Sequence, residues 1–142
     1  MSVVRACDAA AFLTECERDS ARQQGIVPDG SAEKIRGLLY FSQGASLAIL
    51  GGPLFEGDII AAEDGPDVCP GFMPLGSTYA LGRSERAVAA LIAKLFTGFT
   101  GAGLLMIARR EQPWRRARRC GEGATLRYGD MERSFIDRHV AD

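Results

Sequence analysis

The densest chemistry-bearing residues in this chain are six arginines, Arg109-Arg110, Arg115-Arg116 and Arg118-Arg119, which flank Trp114. Guanidinium groups beside an aromatic ring can hold phosphates and stack on bases, the chemistry of a nucleic-acid patch. The plainer alternative is a solvated helix face paired with acids elsewhere, and on that reading nucleic acid is not the expected partner. Cys69, in Val68-Cys69-Pro70-Gly71, has the look of a loop nucleophile, but the single histidine, His139, lies far along the chain. A thiol without a base is a poor nucleophile, so Cys69 is read as a small hydrophobe. Cys7, Cys16, Cys69 and Cys120 show no paired spacing, and with one histidine no metal site is expected.

Composition limits what such groups can serve. The chain has 142 residues, the length of one domain with one sizeable core, so 1–142 is taken as a single unit. It is 46% apolar and 25% charged with a net charge of −1, so any attraction to polyanions must be local. Apolar runs fall short of the roughly 20 residues that span a bilayer. Met1-Ser2-Val3-Val4-Arg5 lacks the features of a signal peptide. A cytoplasmic protein without membrane contact is the expectation.

The elements that must position these residues follow from periodicity and punctuation. Ser2 to Cys7 reads as a first strand. Asp8 reads as the N-cap of a helix whose apolar face is Ala9, Phe12, Leu13 and Cys16, stopped by Gly25. Pro28-Asp29-Gly30 is turn chemistry, and Ser31 caps a shorter helix toward Leu39. Strands are expected at 46–50, 57–62 and 75–81, with a loop over 64–74. A helix capped by Ser84 carries the stripe Val88, Leu91, Ile92, Leu95 and Phe96. The apolar run 103–108 reads as a strand covered on both faces, Pro113 opens a brief helix through Arg119, and 124–128 and 131–136 read as two final strands.

That order resembles the GNAT superfamily of N-acyltransferases over nearly the whole chain. The resemblance implies an α/β (α+β) three-layer fold, with a central mixed twisted sheet of about 6–7 strands flanked by helices. The stretch Leu81-Gly82-Arg83-Ser84-Glu85-Arg86-Ala87-Val88 matches the position of the family's R/Q-x-x-G-x-G/A motif, with Arg83 at its first position. Arg86 and Val88 stand where the family has small residues. The ending Tyr128-Gly129-Asp130-Met131-Glu132-Arg133-Ser134-Phe135-Ile136 looks like the last hairpin of phage-encoded GNAT-like proteins.

The resemblance implies acetyl-CoA or another acyl-CoA as cofactor and an amine, on a small molecule or a protein, as acceptor. The pyrophosphate would lie on Leu81, Arg83, Ser84, Glu85, Arg86, Ala87 and Val88, where free helix amides favour phosphate. Glu63 would be the base toward the amine and Tyr128 the acid toward the departing thiolate, while the arginine cluster could meet the adenosine 3′-phosphate. The family's aromatic segment is replaced by Ala117 to Glu122. A GNAT-like domain that has lost its chemistry and acts through protein contacts is therefore the second reading. A homodimer is possible on either.

Overall fold

The computed structural model describes residues 4–69 and 76–139. Six helices and one two-stranded antiparallel hairpin make up these residues: α1 (Ala6–Gln24), α2 (Ala32–Ile49), β1 (Asp58–Ala62), β2 (Gly65–Cys69), α3 (Arg83–Leu95), α4 (Gly101–Arg109), α5 (Gln112–Cys120) and α6 (Tyr128–His139). The α/β three-layer expectation with a sheet of 6–7 strands is overturned. β1 and β2, paired from Asp58–Cys69 to Ala62–Gly65, form the only sheet among the described residues.

The architecture is built around α2. Ser31 caps it as expected, its Oγ accepting from Lys34 N at 3.1 Å. The helix does not stop near Leu39, however; it continues to Ile49 and absorbs the strand expected at 46–50. All residues from Gly37 to Leu47 are buried, because α1, α3, α4 and α6 all pack on this one helix. A helix buried all round is apolar all round, so the amphipathic stripe that marks a helix in sequence is lost. Two glycines permit the close crossings. A Cβ on Gly37 would stand 2.8 Å from Leu104 Cβ of α4, and one on Gly44 would stand 3.1 Å from the Met131 carbonyl oxygen of α6.

The remaining corrections have local causes. Of the first expected strand, Ser2 and Val3 lie outside the described residues, and Arg5 only bridges Glu56 before α1 begins at Ala6. Asp8 is therefore in the first turn rather than at the cap, and its carboxylate accepts from the backbone amides of Arg5 (3.1 Å) and Ser77 (2.8 Å). Gly25 ends α1 in the left-handed conformation, as expected.

The loop read over 64–74 contains β2 up to Cys69; 70–74 lie outside the described residues, as does Leu75 of the strand read at 75–81. Residues 76–81 are turns and bends. Run 103–108 is helical: Thr100 Oγ1 accepts from Gly103 N, and Leu104, Leu105 and Ala108 are buried while Met106 is exposed. The strands read at 124–128 and 131–136 give way to one bridge, Thr125 to Ile60, followed by α6, which lays Met131 against α2.

Candidate functional site: a charged cleft and a buried ion pair

Leu81, Arg83, Ser84, Glu85, Arg86, Ala87 and Val88, the residues expected to hold a cofactor, stay together in the fold. They fall at the start of α3, where Leu81 and Val88 belong to the core and Arg83, Ser84, Arg86 and Ala87 are exposed. Gly82, not Ser84, is the N-cap. Glu85 folds back over this end so closely that a Cβ on Gly82 would meet its Oε1 at 2.7 Å. An acid of the chain itself thus complements the helix terminus where a pyrophosphate would lie. Arg86 turns away, its guanidinium 5.4 Å from the ring centre of Phe12.

Glu63 lies in the turn of the hairpin, which packs mainly on α2, α4 and α5, whereas α3 packs on α1 and α2. Tyr128 begins α6, and burial, then Asp58 and Glu56, push its phenol above its ordinary value. The two acid–base candidates and the expected cofactor residues thus belong to three different elements, the hairpin turn, α6 and the start of α3. Burial, then Asp19 and Glu15, push the Cys16 thiol up to about 11, which leaves it inert. The side chain of Cys69 lies outside the described part.

Half of the arginine cluster is structural. Arg109 donates to Asp64 O (2.6 Å), Arg118 donates to Ala61 O (3.3 Å) and lies over Trp114, and Trp114 Nε1 donates to Ala62 O (2.9 Å). These bonds clamp the hairpin to α4 and α5. Arg36 of α2 holds the same hairpin with a fork to Asp64 (2.9 and 2.8 Å). Arg116 pairs with Asp130 at 2.9 Å, whereas Arg110, Arg115 and Arg119 are exposed.

An open cleft of about 600 Å³ separates the start of α5 from α6. Four guanidiniums line it, from Arg110, Arg116, Arg133 and Arg138, together with the carboxylates of Glu111, Asp130 and Asp137. Its floor is a network that sequence reasoning missed. Glu111, buried at the N-cap of α5, accepts from Tyr40 Oη at 2.6 Å and from Arg138 Nε. Burial, reinforced by the Glu111 charge, holds the Tyr40 phenol well above its ordinary value, so it stays a donor. Burial, then Arg138, pushes the His139 imidazole down, so it is mainly uncharged at neutral pH.

A second missed feature lies at the opposite end of α2. Lys34 is fully buried, and its Nζ donates to Phe96 O (2.7 Å) and Phe99 O and stands 3.3 Å from Glu17 Oε1. Glu17 is 2% exposed, and its carboxylate faces Lys34 Nζ and the Asp29 amide without a well-aligned hydrogen bond to either. Burial pushes its carboxyl up, against the pull of Lys34. Tyr40 carries a sequence signal, a phenol inside the uncharged run 37–47, whereas Lys34, between Glu33 and Arg36, carries none. Among the described residues no group of three or more metal-ligating side chains assembles, and no helix is long and apolar enough to cross a membrane.

No protein family matches this chain, and no curated protein or solved structure is similar to it.

Proposed function

We propose that this chain is a partner-binding domain whose cleft between α5 and α6 receives an acidic segment of another protein. The observation that carries this reading is the charge left over in the cleft. Arg116 is neutralised by Asp130 and Arg138 by Glu111, whereas among the described residues neither Arg110 nor Arg133 has an ion-pair partner. Two open guanidiniums with only Asp137 to offset them suit carboxylates presented on an extended chain. Gln112 and Ser134 line the same cleft and add hydrogen-bonding groups that can select among acidic segments. The Tyr40–Glu111–Arg138 network ties the two walls to α2, so the cleft is held open before a partner arrives.

Acyl transfer in the GNAT manner uses a sheet that feeds the cofactor-binding helix, and because the described residues contain no such sheet before α3, that reading loses the support it drew from the fold. The arginine cluster also supports nucleic-acid binding less well, because three of its six members brace the fold.

The test is fluorescence anisotropy with a labelled deca-glutamate peptide at low ionic strength. Binding should weaken as salt is raised, because the contacts are exposed charges. Arg110→Glu with Arg133→Glu should weaken it at least about tenfold, roughly 1.4 kcal/mol, while Arg22→Glu on the far side of α1 should leave it unchanged. Equal binding by the cleft variant would remove the cleft from the reading. Preference for a labelled oligothymidylate over the peptide would favour nucleic acid instead.

A further inference from the structure

Positions 101–108 of α4 carry no charged residue, in a chain that is 25% charged. A helical run of that kind is normally covered all round, as the uncharged run of α2 is. In α4 the cover is incomplete. Leu104 lies against Gly37 of α2. Leu105 and Arg109 face the hairpin, where a Cβ on Gly65 would stand 3.2 Å from Leu105 and Arg109 donates to Asp64 O. The rest of the circumference is Ala102, Gly103, Met106 and Ile107. Of these Ala102 and Met106 are exposed, Met106 at 47%, and Gly103 and Ile107 are half-buried.

This apolar arc runs into the wall of the charged cleft. Arg110, which lines the cleft, follows Met106 by four positions and Ile107 by three. Its backbone is still helical (φ −84°, ψ −10°), so the three residues share one face, with Cβ atoms roughly 5–6 Å apart. Methionine is flexible and polarisable, and it recurs on surfaces that adapt to varied apolar side chains. An apolar surface rimmed by polar groups is also a usual mark of a contact site.

We infer that the outer arc of α4 is the apolar half of the α5–α6 cleft, and that the segment received there carries a leucine-like side chain at one end of its acidic stretch. This inference rests on the reading of the cleft as a site for an acidic segment. The occupant follows from adjacency, because a carboxylate paired with Arg110 sets the next residues of its chain over Met106. An extended chain advances about 3.3 Å per residue, so the apolar side chain stands roughly two residues from that carboxylate. Arg133 belongs to α6, across the cleft from α4, so further carboxylates extend the segment away from the arc. The same face of a second copy is a poorer occupant, since α4 contains no acid to offer Arg110.

The test compares three labelled peptides by fluorescence anisotropy against the full chain: deca-glutamate, and deca-glutamate with two leucines added at its amino or at its carboxyl end. At least one leucine-bearing peptide should bind about fivefold tighter than deca-glutamate, because apolar surface leaves water. Met106→Gln should abolish that gain and leave the binding of deca-glutamate unchanged. Met106→Leu should preserve the gain, as should Leu91→Gln on the exposed surface of α3. Both methionine variants alter a half-exposed side chain and leave the core packing in place. If deca-glutamate binds and neither leucine peptide gains, the α4 inference is overturned while the cleft reading stands. A gain that survives Met106→Gln, or is lost equally in Leu91→Gln, overturns it too. Failure of all three peptides overturns both. A dimer detected by sedimentation velocity and abolished by Met106→Gln would assign the arc to a second copy and likewise overturn the inference.

Discussion

Replacing Lys34 with methionine is expected to remove a large part of the protein's stability, and to remove less of it in acid. The ammonium of Lys34 has three partners, Phe96 O, Phe99 O and Glu17, and its side chain is fully buried. Methionine keeps most of the stem packing, so the loss is electrostatic rather than a cavity. Removing one member of a buried pair costs about 3–5 kcal/mol, and an orphaned buried carbonyl about 1–3 kcal/mol. These costs overlap, because the carbonyls can recruit water and Glu17 can take up a proton. A loss of about 4 kcal/mol at pH 8 follows, out of a total of roughly 5–15 kcal/mol for a domain.

The pH dependence separates the two parts of that loss. Glu17 has its folded-state pKa raised above the ordinary 4.5, chiefly by burial. An acid raised in this way favours folding most below its unfolded value, and its contribution declines as pH rises through the interval up to the folded value. Deleting Lys34 removes the cation that pulls Glu17 down, so the folded value climbs and the interval widens. Near pH 4 Glu17 is largely protonated, and the variant should lack only the carbonyl contacts, about 2 kcal/mol. Urea unfolding followed by circular dichroism, compared through midpoints at constant slope, measures both losses. A loss under about 1 kcal/mol at pH 8, or an equal loss at pH 4 and pH 8, would refute this account of the pair.

Two further substitutions test how α2 organises the core. Gly37→Ala would place a Cβ 2.8 Å from Leu104 Cβ, so thermal unfolding should show a net loss of about 1–3 kcal/mol despite alanine's better helix propensity; a stabilised variant would show that the α2–α4 crossing is not tight. Gln43 accepts from Leu54 N (2.7 Å) and Phe55 N (3.3 Å) and donates to Phe55 O (3.0 Å), all buried. Gln43→Leu should therefore cost about 3 kcal/mol in urea unfolding by leaving those groups unmet, and a near-neutral result would mean that the 54–55 turn finds other partners.

Helix starts and stops were legible where a side chain or glycine makes the boundary, as with Ser31, Gly25 and Pro113. Helix interiors were legible only where one face meets solvent. α1 shows an apolar face against charged Glu15, Arg18 and Arg22, and it was read correctly as a helix. The Ser46–Leu50 and Gly103–Ala108 runs were read as strands because burial on several sides removes the polar face that distinguishes a helix from a covered strand. Thr100, a three-residue-distant acceptor for Gly103 N, was the available sign that 101–109 is helical. A GNAT-like order of elements arose from those two readings together with the strands placed at 75–81, at 124–128 and at 131–136, the last of which lies within α6.

The buried networks were not legible for a related reason, since charge density is a poor guide to where a charge is costly. Six arginines stand in eleven positions, yet two of them pin the hairpin and a third ties α5 to α6, and each can keep part of its guanidinium near water. Glu17, Lys34 and Glu111 sit beside other charged residues in the sequence, so nothing in the chain singles them out; Tyr40 alone stands in an apolar run, and the fold removes all four from water. Burial turns an ordinary ionisable group into one whose energy depends on each partner it has or lacks. For Tyr40 and Glu111 the partners are present, which makes their network a support for the cleft. For Glu17 they are incomplete, so its energy rests on the one cation beside it, Lys34, which is why the pair at the opposite end of α2 should respond to pH.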